Sequence, residues 1–247
     1  MFSLGGVGLE GWLFVSRFGE MQLLLPAAVA AVLMLVQKHA TKPLAVGWMA
    51  ALALAILATT VSKVAFIGWG IGIPDIDFTG ISGHTMLAMA VYPLLFSTLA
   101  SQLPPLQQRL SVAAGFVLAL LVGQSRLEID VHSVSEVLAG AMVGGAVSLS
   151  VLLNNRLPRK VTNRWLAVVF CGFFGVSLLS TSQINPHSWV TEFALILSGT
   201  TTPYTRATVK RLQVLKLQPF QTSQPVPISF YAAVAFHPPT PNLPASW

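Results

Sequence analysis

Residues 43–62, PLAVGWMAALALAILATTVS, contain no Asp, Glu, Lys or Arg, and neither do residues 21–37, MQLLLPAAVAAVLMLVQ. Uncharged apolar runs of this length restrict a chain severely. A bilayer core of about 30 Å takes roughly 20 residues as helix, with about 17 tolerable. Helix is required because lipid offers no partners to backbone N–H and C=O groups. Similar runs cover 84–103, 106–124 (interrupted early by Arg109), 137–155 and 165–183. The expectation is an all-α integral membrane protein, a helical bundle of about six transmembrane helices.

Composition excludes the soluble alternative. Charged residues make up 9% of the 247 and apolar ones 54%, with mean hydropathy +0.71, whereas a soluble domain carries roughly 25% charge. So few charges cannot cover a water-exposed surface. The net charge of +6 does not point to nucleic acid, because no basic patch is interleaved with aromatics. The single Cys171 lies in an apolar run, so there is no disulfide framework.

The charges that do occur are sorted by loop. Lys38 and Lys42, then Arg109, then Arg156, Arg159, Lys160 and Arg164 fall in alternate links between the runs. The positive-inside rule places these links in the cytoplasm and both termini outside. Asp75, Asp77, Glu128, Asp130, Glu136 and Glu192 occupy the other side. Glu128, Asp130, Asp75 and Asp77 read as solvated loop charges. Trp12, Trp48, Trp69, Trp165 and Trp189 stand near the expected span ends, as aromatic-belt residues do.

Three regions follow. Residues 1–20 read as a short interfacial segment rather than a cleavable signal peptide, since no basic stretch leads it. Residues 21–200 hold the spans. Residues 201–247 form a tail, basic and aliphatic over 203–217, where it could lie on a membrane surface. Beyond Phe220 the tail has no Lys, Arg, Asp or Glu, and the proline content there predicts disorder.

Two outer-side stretches join titratable residues directly to apolar helices: 79–85 (TGISGHT) and 124–136 (QSRLEIDVHSVSE). In the first, Ser82 is placed as a helix cap, with Gly83 and His84 leading into the third span. A helix N-terminus carrying a small residue lets an anion approach free backbone N–H groups. In the second, His132 and Glu136 are four apart. On a helix they share a face, so the carboxylate can accept one imidazole N–H and leave the other nitrogen free for attack. Arg126, on the same loop, presents a planar fork to phosphate oxygens. Lys63, at the end of the second span, offers a point charge. Two imidazoles, a carboxylate orienter, two cations and a helix N-terminus suit phosphoryl transfer through a phosphohistidine.

These residues resemble the type-2 phosphatidic acid phosphatases, whose wider superfamily includes vanadium haloperoxidases and bacterial acid phosphatases. That family carries Lys-x6-Arg-Pro, Pro-Ser-Gly-His and Ser-Arg-x5-His-x3-Asp in order. This chain has Lys63, then Ile81-Ser82-Gly83-His84, then Ser125-Arg126, five residues, His132, three residues and Glu136. The third signature is the most specific. The resemblance covers about residues 20–185. It implies that His132 is the nucleophile, Glu136 its orienter and His84 the general acid, with Lys63, Ser82, Gly83 and Arg126 binding phosphate. It implies no metal and no cofactor. It implies a membrane lipid phosphate as substrate: polyprenyl diphosphate, phosphatidate or phosphatidylglycerophosphate. Where the first signature has Arg-Pro, the chain has Gly70-Ile71, so one phosphate-binding cation is missing or is supplied from elsewhere. Ile81 replaces Pro and Glu136 replaces Asp.

The expectation is therefore a metal-independent lipid phosphatase of a bacterial inner membrane, with its site on the periplasmic side. Two alternatives stand beside it: a catalytically weak or inactive lipid-binding scaffold of the same fold, and a transporter using His and Glu as a proton path. Taken singly, each residue has a plainer reading: Lys63 a snorkelling span end, Ser82 a helix cap, Arg126 an interfacial anchor, His132 with Glu136 a capping pair. Oligomeric state is not legible in the sequence.

Overall fold

The computed structural model describes residues 8–37, 41–153, 175 and 186–209. Seven α-helices are described: α1 (Leu9–Arg17), α2 (Met21–Val36), α3 (Lys42–Trp69), α4 (Gly83–Leu99), α5 (Pro105–Glu128), α6 (Val134–Leu152) and α7 (Pro186–Ser198). A 3-10 turn at Pro74–Ile76 lies between α3 and α4. Among the described residues there is no strand, only one antiparallel bridge between Ile73 and Phe78. The protein is thus a helical membrane protein, as its composition requires.

Helix α4 is the centre of the bundle and packs mainly on α5, α6 and α2. Its residues are apolar on every side, as in a helix at a protein's core or within a membrane. Met86 through Tyr92, together with Leu94 and Leu95, are all buried. Glycines on the neighbouring helices permit the close approach. A β-carbon on Gly144 would lie 2.1 Å from the Met86 carbonyl oxygen, and one on Gly140 would lie 2.7 Å from that of Ser82. Gly140 and Gly144 stand one turn apart on α6, the small-xxx-small spacing that lets helix backbones meet in lipid. On α5, a β-carbon on Gly115 would lie 2.8 Å from Pro93 Cα, so α5 nests against the proline inside α4.

The outer surface is apolar. Val46, Leu54, Leu57 and Val61 on α3, Val117 and Leu120 on α5, and Leu138 and Met142 on α6 are all exposed. In water such a surface would drive association; in hydrocarbon it is the required one. Four helical segments are long and apolar enough to cross a membrane: Leu9–Val36, Lys42–Trp69, Pro105–Glu128 and Val134–Leu152. Gly83–Leu99 and Ser188–Ser198 are shorter apolar helices. The sixth expected span, 165–183, and the basic link at 154–164 lie outside the described residues, residue 175 apart.

Several expected boundaries move. Helix α3 continues to Trp69, so Lys63 is set inside a helix, well before its end. Helix α5 continues to Glu128, so Arg126 belongs to its last turn and is not on a loop. Helix α7 starts at Pro186; proline suits a first helical turn because its missing N–H would have had no acceptor there. Trp48 is 1% exposed and belongs to the core, not to an interfacial belt.

Candidate active site

The site forms where the N-termini of α4 and α6 meet the C-terminal turns of α3 and α5. The 70–82 loop is tied to α6 by backbone and side-chain bonds. Ser82 N–H donates to the Glu136 carbonyl at 3.1 Å, and the Ser135 hydroxyl donates to the Ile76 carbonyl at 2.9 Å. The loop also passes tightly over α3: a β-carbon on Gly80 would lie 3.3 Å from Lys63 Cα. Gly80 has φ 152°, a backbone region that other residues rarely enter.

Helix α6 starts with a capping box. Ser133 is the N-cap, its hydroxyl accepts from Glu136 N–H, and the Glu136 side chain accepts from Ser133 N–H. His132 therefore precedes the helix and does not share a helical face with Glu136, as the spacing had suggested. The bond forms nonetheless: His132 Nδ1 lies 2.6 Å from Glu136 Oε2. The Glu136 side chain is fully buried and that of His132 is 13% exposed. Burial is the largest influence on His132 and pushes its pKa below the ordinary histidine value. The hydrogen bond to Glu136 opposes that push, and the Lys63 charge adds to it.

Glu136 collects more donors than the sequence indicated. Thr79 N–H donates to Oε1 at 2.8 Å, and the Thr79 hydroxyl donates to the same oxygen. Ser133 N–H reaches Oε2 at 3.2 Å. Arg206 Nη2 also donates to Oε2, at 2.5 Å, while its Nη1 donates to Asp77 Oδ2 at 3.2 Å. Thr79 lies within a stretch already singled out for its polarity. Arg206 carried no local signal, being 70 residues from the carboxylate it meets.

The remaining sequence candidates surround this pair. Lys63 Nζ lies 3.9 Å from the point where a β-carbon of Gly83 would stand, so the ammonium sits beside the N-terminus of α4. Ser82 is the N-cap residue of α4, yet its side chain caps no backbone N–H. Its hydroxyl instead pairs with Thr85 Oγ1 at 3.0 Å. His84, half-buried, is within electrostatic reach of Arg126, Lys63 and His132.

Arg126 and His84 are backed by a segment the sequence reading had left out of the site. Arg126 Nη1 donates to Ser16 Oγ at 2.6 Å, and its buried Nε has no hydrogen-bond partner among the described residues. A β-carbon on Gly19 would lie 3.0 Å from His84 Cβ. The Tyr92 hydroxyl donates to the Phe18 carbonyl at 2.5 Å, fixing the α1–α2 turn against α4. Helix α1 packs on α5, and so residues 16–19 line the rear of the site.

Fold and site together define a helical membrane protein with a carboxylate-oriented histidine among cations at converging helix ends. Comparison with known proteins agrees. Residues 72–160 match the PAP2 superfamily. Over 199 residues the chain is 35% identical to a protein of Klebsiella pneumoniae described as "Uncharacterized 22.5 kDa protein in cps region", covering 79% of this chain and 95% of that one. Over 71 residues it is 41% identical to phosphatidylglycerophosphatase B of Bacillus subtilis (strain 168), covering 28% of this chain and 34% of that one. No solved structure matches. The chain belongs to the PAP2 superfamily.

Proposed function

We propose that the protein is a phosphatase acting on a phosphate monoester or diphosphate carried by a membrane lipid, through a phosphohistidine intermediate. The observation that carries this reading is the 2.6 Å contact between His132 Nδ1 and Glu136 Oε2. With Nδ1–H donating to that carboxylate, Nε2 keeps its lone pair free. In the first step Nε2 attacks phosphorus, the P–O bond to the leaving group (the lipid alcohol of a monoester, the lipid monophosphate of a diphosphate) breaks, and His84 gives a proton to the departing oxygen. In the second step water attacks the phosphorus, His84 takes the water proton, and the P–N bond breaks to release phosphate and restore His132.

Lys63, Arg126 and the amides at the start of α4 hold the non-reacting oxygens, where charge builds up in the transition state. Ser82 and Gly83 keep the approach to those amides open. An apolar exterior that reaches up to the site favours an amphiphilic substrate whose head group enters while its chains stay in lipid. Phosphatidylglycerophosphate is one such substrate, and the name of the Bacillus relative supports including it; phosphatidate and polyprenyl diphosphate have the same chemistry. The segregation of basic loops supports a site on the side away from the cytoplasm, and in the bacterial inner membrane we propose this is the periplasmic side.

The test is phosphate release by purified protein in detergent from these three lipids, with His132→Ala beside the wild type. Release that falls by about 10³-fold or more in the variant supports the reading. Equal release by both proteins, or none by the wild type on any of the three, overturns it.

A further inference from the structure

Arg206 is placed by a short segment that turns back onto the site. Tyr204 N–H donates to the Ile67 carbonyl at 2.9 Å, near the end of α3. Helix α3 ends at Gly70, which has φ 69°. The bare face of that glycine is covered by the Tyr204 ring: a β-carbon at position 70 would lie 2.9 Å from Tyr204 Cδ1. Gly70 is thus needed twice, for its left-handed backbone and for the ring on top of it. Two residues on, the Arg206 guanidinium bridges Asp77 Oδ2 and Glu136 Oε2, with its side chain 30% exposed.

We propose that Arg206 is a positioning residue for the reaction, a cation supplied by the 203–209 segment that fixes Glu136 and through it the nucleophile His132. The inference rests on the phosphatase reading. Three donors converge on Glu136 Oε2: His132 Nδ1, Ser133 N–H and Arg206 Nη2. Arg206 is the one among them that carries a guanidinium fork, with its other nitrogen on Asp77 Oδ2. It holds the carboxylate ionised and in one orientation, and it sets how much proton affinity Glu136 lends to the imidazole.

The sign follows from the groups that face the pair. Lys63 comes from α3, His84 from α4, Arg126 from α5, Asp77 from the turn before α4, and Arg206 from the 203–209 segment. Removing Arg206 takes one positive charge away from Glu136, whose negative charge then acts more fully on His132, with Lys63 the other cation within its reach. Protonation of His132 then becomes easier, and its titration moves upward. At mildly acid pH less of the free base remains to attack phosphorus. Arg206 so keeps the nucleophile available at lower pH. The lysine that would replace it conservatively retains the charge but lacks the fork that spans Asp77 and Glu136.

The experiment uses the full chain in detergent micelles with phosphatidate as probe, comparing wild type, Arg206→Gln and Arg206→Lys. Two readouts are taken: kcat and KM across pH, and the rate of His132 modification by diethylpyrocarbonate across pH, followed by peptide mass mapping. The second needs no activity, so it separates failure of this inference from failure of the phosphatase reading. The expected result for Arg206→Gln is an upward move of the His132 midpoint by about one unit, about a tenfold shift in proton affinity. It is joined by a kcat about tenfold or more lower near neutral pH, with KM within about twofold. Arg206→Lys should restore most of the midpoint and part of kcat. An unmoved His132 midpoint in Arg206→Gln overturns the proposal. So does a rise in KM alone, which would make Arg206 a direct phosphate ligand.

Discussion

The carboxylate of Glu136 performs two tasks at once: its Oε2 accepts from Ser133 N–H at the start of α6 and lies 2.6 Å from His132 Nδ1. The group that starts the helix is also the group that orients the imidazole, so the nucleophile is held relative to a rigid element and not to a free loop.

That double role fixes what shortening the side chain should do. Aspartate at this position would recover the carboxylate common in the third signature, one methylene shorter. Here the extra methylene is used: it carries the carboxylate far enough to meet Thr79 on one oxygen and His132, Ser133 and Arg206 on the other. Glu136→Asp is therefore expected to lower kcat by about 10²-fold, the cost of a displacement near 1 Å at a reacting group. Glu136→Gln should fall at least as far, because an amide nitrogen turned toward Nδ1 cannot accept its proton. Steady-state phosphate release by the two variants checks both; an aspartate variant equal to wild type would show the local contacts to be dispensable.

The pH dependence has a definite sign. An unperturbed histidine titrates near 6.5, and burial moves the His132 pKa below that. The attacking form is the neutral one, so the acid limb of kcat/KM should have its midpoint below the ordinary value. Folding stability is linked in the same direction. The native state binds the His132 proton less tightly than the unfolded chain does. Stability from this group is present above about pH 6.5 and is lost as pH falls through the lower native value. A pH–rate profile with thermal denaturation at matched pH reads both. An acid limb with its midpoint above 7 would assign it to another group.

Ser16 offers a test of the segment behind the site. It is 6% exposed and accepts from Arg126 Nη1 at 2.6 Å. With Ser16→Ala the guanidinium loses one anchor but keeps its charge. A hydrogen bond to a charged group is worth about 1.5–3 kcal/mol, and part of that is recovered by water in a half-open site. The expected outcome is a kcat/KM for the lipid phosphate about tenfold lower, with kcat itself reduced. An unchanged kcat/KM would mean that Arg126 is held by its helix alone.

The sequence made the helical membrane class, the long apolar helices among the described residues and the His132–Glu136 pairing legible because all depend on local spacing: uncharged runs set by bilayer thickness, and two polar residues at a helix start. Boundaries near the site were less accessible. Helix α5 continues through Gln124, Ser125 and Arg126 because their polar side chains point to partners such as Ser16 and Glu128. A rule that ends a span at its first charge stops too soon there. Lys63 within α3 was shifted for the same reason. Contacts made by tertiary packing left no local trace. The 70 positions between Glu136 and Arg206, and the 110 between Ser16 and Arg126, exceed what any helix or turn pattern reports. The absence of Arg at position 70 was visible; what stands in its neighbourhood, Tyr204 over Gly70, was not.

Adjacent glycines on α6 separate packing from chemistry. A β-carbon on Gly144 would meet the Met86 carbonyl oxygen at 2.1 Å and Met89 Cβ at 2.8 Å, whereas one on Gly145 meets nothing within 4 Å among the described residues. The first neighbour is backbone on the central helix, which cannot rotate out of the way, so relief requires α4 and α6 to move apart. Overpacking of this kind costs about 1–3 kcal/mol and sometimes more. Gly144→Ala is therefore expected to lower the melting temperature in detergent by several degrees, at about 2–4 °C per kcal/mol for a chain of this size. Gly145→Ala should leave it unchanged or raise it, because alanine is the better helix former by roughly 1 kcal/mol. Neither side chain touches His132 or Glu136, so phosphate release per folded molecule should stay near wild type in Gly145→Ala. Equal melting temperatures for the two variants would mean that α4 and α6 are not in backbone contact at Met86, and the close packing that sets the N-terminus of α4 beside that of α6 would fall with it.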